Sequence, residues 1–110
     1  MEQAHQILQR ARNLIEAGWI QGGFAKDAKG NRVACTSPDA VCFCAVGALL
    51  RAAHEIAPSD HDVYLKAKQQ IMNRITTIGE MNITTWNDHT SRDDVLRVFN
   101  QACGEFENAA

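Results

Sequence analysis

The sequence predicts a mainly α single domain over residues 1–110: about four helices packed round a buried central helix at 38–57, with a small β-hairpin or structured loop at about 19–36. Three observations lead there. Apolar residues recur at spacings of three and four in the first, third and last parts of the chain, the signature of helices with one buried face. An unbroken apolar run, Ala40 to Leu50, is too short for a bilayer and reads as a helix surrounded by protein. Between the first helix and that run lie Gly22, Gly23 and Gly30, which break any helical period.

The first helix is expected over 3–17. Ala4, Ile7, Leu8, Ala11, Leu14 and Ile15 form its stripe, and Gly18 stands where a left-handed cap would end it. In the segment that follows, Phe24–Asp27 and Arg32–Cys35 flank Ala28-Lys29-Gly30-Asn31, and Gly30 and Asn31 both tolerate the positive φ of a tight turn. Ser37-Pro38-Asp39 then reads as a helix start, with Ser37 capping, Pro38 in the first position and Asp39 facing the positive end of the dipole. Gly47 is costly inside a helix, so another backbone is expected to approach it closely, on a small-residue face shared with Cys44, Ala48 and Ala52.

Pro58-Ser59 breaks the chain, and Ser59 is the expected cap of the next helix. Val63, Tyr64, Ala67, Ile71, Ile75 and Ile78 form its stripe, and Gly79 is its stop. A polar connection leads to Trp86. Thr90 and Asp93 have capping-box spacing before a last helix that buries Val95, Leu96, Phe99, Ala102, Cys103 and Phe106.

Composition narrows the function classes. The 110 residues carry a net charge of −2, and 11 Lys and Arg are scattered among 13 acidic residues. Nucleic-acid binding needs a basic stripe for phosphate neutralisation, so it is disfavoured. The start of the chain lacks a basic, then apolar, leader, and the four cysteines do not form a paired C-x-x-C pattern. These features read as a cytoplasmic protein with reduced thiols and no membrane segment.

For catalysis, the sharpest idea is a thiol nucleophile, Cys42 or Cys44, with His54, His61 or His89 as base; Cys44 and His89 are weak candidates, and no catalytic residue is assigned. A helix beginning at Pro38 would place Cys44 nearly two turns inside, beyond the reach of the dipole, and an apolar environment would make it inert. Asp60-His61-Asp62 and Asp88-His89 offer metal donors, but no i, i+4 histidine pair accompanies them, so no metal site and no cofactor is assigned. Trp19 and Trp86 each adjoin a glycine-rich or polar loop, the kind of place where binding residues sit, although the favoured reading is that each caps an end of the core.

Several elements taken together carry a resemblance: Gly18-Trp19 with Gly22, Ala25-x-Asp27-x-x-Gly30, Phe43-Cys44-x-x-Gly47-Ala48-Leu49 and Trp86-Asn87-Asp88. The set resembles a family of small bacterial and phage proteins of unknown function, over about residues 7–103. The resemblance implies a compact fold and no particular activity. It suggests that Asn87-Asp88 holds Trp86, or the loop around Gly22 and Asp27, in place.

The reading that follows is a non-enzymatic protein-interaction or regulatory module of phage or mobile-element character. Its binding residues would be Trp19, Asp27, Trp86, Asn87 and Asp88, its partner an unidentified protein, and self-association stays open. The alternatives are a cysteine-dependent hydrolase or transferase using Cys44 with a histidine, and a small-ligand domain with a pocket between the Trp19 loop and Trp86.

Overall fold

A computed structural model describes residues 2–75 and 82–109, with side chains described over 3–75 and 82–104. The order of elements is α1 (Glu2–Ala17), β1 (Ala25–Lys26), β2 (Cys42–Phe43), α2 (Ala45–Ile56), α3 (His61–Ile75), α4 (Ile83–Asp88) and α5 (Arg92–Ala109). The domain is mainly α, with five helices among the described residues and one small antiparallel sheet.

Helix α1 forms as its period predicts. Ala4, Ile7, Leu8, Ala11 and Ile15 are buried and meet α2, α3 and α5. Gly18 ends it by a different means from the one expected. Its φ is not positive; instead a Cβ there would come within 2.6 Å of the Val41 carbonyl oxygen. The residue is a spacer that lets the chain pass β2 at close range.

The central helix is shorter than 38–57. It begins at Ala45, and Cys42–Phe43 belong to a strand. Ala25 pairs with Phe43 and Lys26 with Cys42, Lys26 makes an isolated antiparallel bridge to Arg32, and Trp19 makes an isolated parallel bridge to Phe43. Ser37-Pro38-Asp39 forms a turn: Ser37 N–H donates to Ala34 O, Ala40 N–H to Ser37 O, and Asp39 N–H to Ser37 Oγ at 3.1 Å. The expected start failed because a short apolar run reads alike as buried helix or buried strand, and the cap chemistry of Ser-Pro-Asp also serves a turn.

The hairpin expectation holds in part. Asp27 N–H donates to Asn31 O at 2.9 Å, and Gly30 adopts φ 84°, as a tight turn requires. The longer pairing of this segment, however, is with β2 rather than within itself.

Two caps shift by one residue. Asp60, not Ser59, caps α3, its Oδ1 accepting from Val63 N–H at 3.2 Å. Ser91, not Thr90, caps α5, its Oγ accepting from Asp94 N–H at 3.1 Å. The expected stop at Gly79, and Ile78 before it, lie outside the described residues. The polar connection before Trp86 contains a helix of its own, α4, capped by Asn82, whose side chain accepts from Thr85 N–H at 2.8 Å.

The core is one cluster in which Ile7, Leu8, Leu49, Ile71, Val95 and Phe99 are fully buried. Phe43 joins it from β2 and Trp86 from α4. Gly47 meets the expectation of close backbone approach. A Cβ on it would overlap the Phe24 carbonyl, so the strand–loop insert lies directly on α2.

Candidate functional site

Helix α4 places Trp86, Asn87 and Asp88 in succession, and their side chains do different things. Trp86 is buried in the core. Asn87 is the one buried polar side chain among the described residues, at 0% exposure. Its Oδ1 accepts from Trp19 Nε1 at 2.8 Å and from the Ala45 N–H at 3.0 Å, while its Nδ2 donates to Ile20 O at 3.0 Å. One amide thus satisfies an indole, a loop carbonyl and the first N–H of α2, which would otherwise lie at a helix end without an intrahelical partner.

Asp88 adds a second link to the same loop by accepting from Gly22 N–H at 2.9 Å. Gly22 has φ 77°, a conformation suited to glycine, and its carbonyl accepts from Arg32 Nη2 at 2.9 Å. Gln21 Nε2 donates to the carbonyls of Asn87 and Thr90. The structure therefore brings Trp19, Asn87 and Asp88 together as a clasp on the 19–22 loop. Asp27 stands apart from it: its Oδ1 accepts from Lys29 and Asn31 N–H groups and closes its own turn.

The thiol sits elsewhere than the sequence suggested. With α2 starting at Ala45, Cys44 is the N-cap rather than an interior residue, and its Sγ accepts from Gly47 N–H at 3.3 Å. Two influences oppose each other there. Burial, at 2% exposure, pushes the thiol pKa up and dominates; the Gly47 and Val46 N–H groups pull it down. The thiol is therefore kept protonated despite its position. His89 is held by a 2.8 Å contact between its Nδ1 and the Thr85 carbonyl, and no hydrogen bond joins it to Cys44 among the described residues. Nor do the described residues include a group of three His, Cys, Asp or Glu placed to hold a metal ion.

Two surface features were not singled out by sequence reasoning. One is a groove of about 390 Å³ beside the clasp, lined by Gly22, Phe24, Arg32, Val33, Thr84 and Asp88, with Phe24 52% exposed at its side. The other is a cleft of about 330 Å³ between the 35–36 segment, the end of α2 and the start of α3. Cys35, His54, His61 and Tyr64 line it over an apolar wall that includes Leu50 and Ala57. Arg51, the lone charge in the apolar half of α2, supports one side by donating from Nη1 to the carbonyls of Cys35 and Ser37 at 3.1 and 2.6 Å. A lone arginine at the end of an otherwise apolar run was the available signal for this side of the domain. Neither Trp19 nor Trp86 lines either space.

The fold and the clasp define a small mainly α domain whose loop insert is locked by a late helix. The chain belongs to the family of unknown function DUF6197, whose model matches residues 1–105. No curated protein and no solved structure matches it. No helix among the described residues is long and apolar enough to cross a membrane.

Proposed function

We propose that this domain is a non-enzymatic protein-interaction module that presents Phe24 to a partner protein. The carrying observation is a large aromatic, 52% exposed, on a backbone that cannot easily move. The Phe24 carbonyl accepts from Cys44 N–H at 3.2 Å and lies against the α-carbon of Gly47. The neighbouring loop is clasped by Asn87 and Asp88. A rigid, projecting aromatic beside a groove has the form of an interface anchor, because little conformational entropy is lost when it docks. Arg32 and Asp88 on the groove would supply a polar rim.

In this reading Trp19 and Asn87 shape the surface rather than touch the partner, and Trp86 belongs to the core. Four free cysteines fit a reducing, cytoplasmic setting. The phage or mobile-element character of the module rests on the sequence resemblance alone.

The test is site-specific photocrosslinking in the cells that make the protein. A photoreactive phenylalanine analogue replaces Phe24 in one experiment and Leu65, the exposed apolar residue of α3, in another. A discrete heterologous adduct from position 24 only, competed by unlabelled wild type but not by Phe24→Ser, is the expected result. Equal adducts at both positions, or none at 24, would overturn the reading. An adduct confined to a second copy of the chain would replace the separate partner with self-association.

A further inference from the structure

On the small sheet, buried Ala25 is flanked by Phe24 and Lys26, which turn to the outer side as alternate strand residues do. Arg32 stands directly opposite Lys26. Asp27 N–H donates to Asn31 O and Val33 N–H to Ala25 O, so Lys26 and Arg32 form the closer, non-hydrogen-bonded kind of antiparallel pair. Like charges placed opposite each other in this way repel, at a cost to the fold. Neither belongs to an ion pair among the described residues, whereas Arg10, Arg12, Arg51, Arg92 and Arg97 each do.

We infer that this face receives a short acidic segment of a partner protein, with a carboxylate on Arg32 and Lys26 and an apolar side chain against Phe24. The inference rests on the reading of Phe24 as an interface anchor and names what that anchor's partner carries. Arg32 is set for the task. It lines the same groove as Phe24, and its Nη2 donates to Gly22 O at 2.9 Å. Its Nε passes over Gly23, 3.6 Å from where a Cβ would stand. The guanidinium is thus held in place while that bond engages only one of its N–H donors. A planar fork so positioned matches a carboxylate, which it can hold through two parallel hydrogen bonds. Lys26 adds a second positive charge from the opposing strand.

The neighbouring acids are engaged with backbone. Asp88, on the groove, accepts from Gly22 N–H, and Asp27 accepts from the Lys29 and Asn31 N–H groups of its own turn. Asp39 lies with Lys29 at that turn. The chain as a whole carries a net charge of −2, so it does not draw an acidic protein from a distance. Recognition is therefore short-ranged: the face reads one or two carboxylates beside an apolar residue, not a polyacidic tract.

The test is selection from a display library of random short peptides on the immobilised full chain, run in parallel on Phe24→Ser. The expected result is a set of peptides, enriched on the wild type only, that carry aspartate or glutamate beside a leucine or an aromatic residue. Binding of one such synthetic peptide, read by fluorescence anisotropy, should weaken about tenfold in Arg32→Gln, the loss expected for one good hydrogen bond between charged groups. Lys26→Gln breaks no side-chain hydrogen bond of the fold and should weaken binding several-fold, so the outcome does not hang on the folding of Arg32→Gln. Neutral or basic peptides that depend on Phe24 would overturn the acidic partner and leave the anchor standing. Acidic peptides enriched equally on Phe24→Ser, or no enrichment over it, would overturn both. Unchanged affinity in the two charge variants would overturn the carboxylate assignment alone.

Discussion

Trp19 and Asn87 are 68 positions apart in the chain, and a 2.8 Å hydrogen bond from the indole N–H to the amide oxygen joins them. The same oxygen also receives the first N–H of α2. A loop, a helix start and a late helix are therefore held by a single fully buried side chain.

Asn87→Ala should destabilise the domain by about 3 kcal/mol, because it leaves the Trp19 N–H, the Ala45 N–H and the Ile20 carbonyl unsatisfied in a buried setting. Asp88→Ala removes one more exposed bond, to Gly22, and should cost about 1 kcal/mol or less. Urea unfolding of both variants checks the order; a larger loss from Asp88→Ala would contradict it.

Gly47→Ala should destabilise although alanine is the better helix former by about 1 kcal/mol. The added methyl would overlap the Phe24 carbonyl, so either α2 or the insert must shift. Hydrogen exchange should show faster exchange of the Cys44 amide, which donates to that carbonyl. A variant as stable as wild type with unchanged exchange would refute the close approach.

Cys44 should resist thiol reagents in the native state, while the half-buried Cys35 and Cys42 react first. Burial raises Cys44, Cys35 and Tyr64 above their ordinary pKa values, so the unfolded chain loses these protons before the folded one does. Their contribution is complete below the unfolded thiol value of about 8.5 and is lost as pH rises through the folded values. Stability measured from pH 7 to 10.5 should therefore fall above about pH 8.5, less steeply in Cys44→Ala.

Glu55 is held below its usual carboxylate pKa, first by the hydrogen bond from Arg10 and then by Arg51. Its contribution is present above an unfolded value of about 4.3 and is lost as pH falls through the lower folded value. Both partners are partly exposed, so Glu55→Gln should cost at most about 1 kcal/mol at pH 7 and almost nothing at pH 2.5. Denaturation at the two pH values decides the matter.

What could be read from the sequence follows the range of each interaction. The stripes of α1, α3 and α5 are local and periodic, and most of their expected residues are buried; Leu14, Val63 and Leu96 are half-buried, and Ile78 and Phe106 lie outside the residues whose side chains are described. Gly47 was legible because a glycine inside a helix needs a reason. The start of α2 was not, because what makes Cys42–Phe43 a strand is pairing with Ala25–Lys26, many residues away. At the clasp, the residues could be named but not their geometry: Asn87 joins Trp19, while Asp27 turns inward on its own loop. Cys35 and Tyr64 were missed as a pair because each fits an apolar pattern, and only the fold puts them in one cleft.

The clasp also fixes a timetable for synthesis. The insert between Gly18 and Phe43 emerges from the ribosome early, but the asparagine that secures it belongs to α4. Until that helix is released, α1 and α2 can pack while the loop waits unlatched. A stalled or truncated chain ending before residue 82 would therefore leave the Trp19 indole without its Asn87 partner, and cellular quality control would have a marker of incompleteness to read.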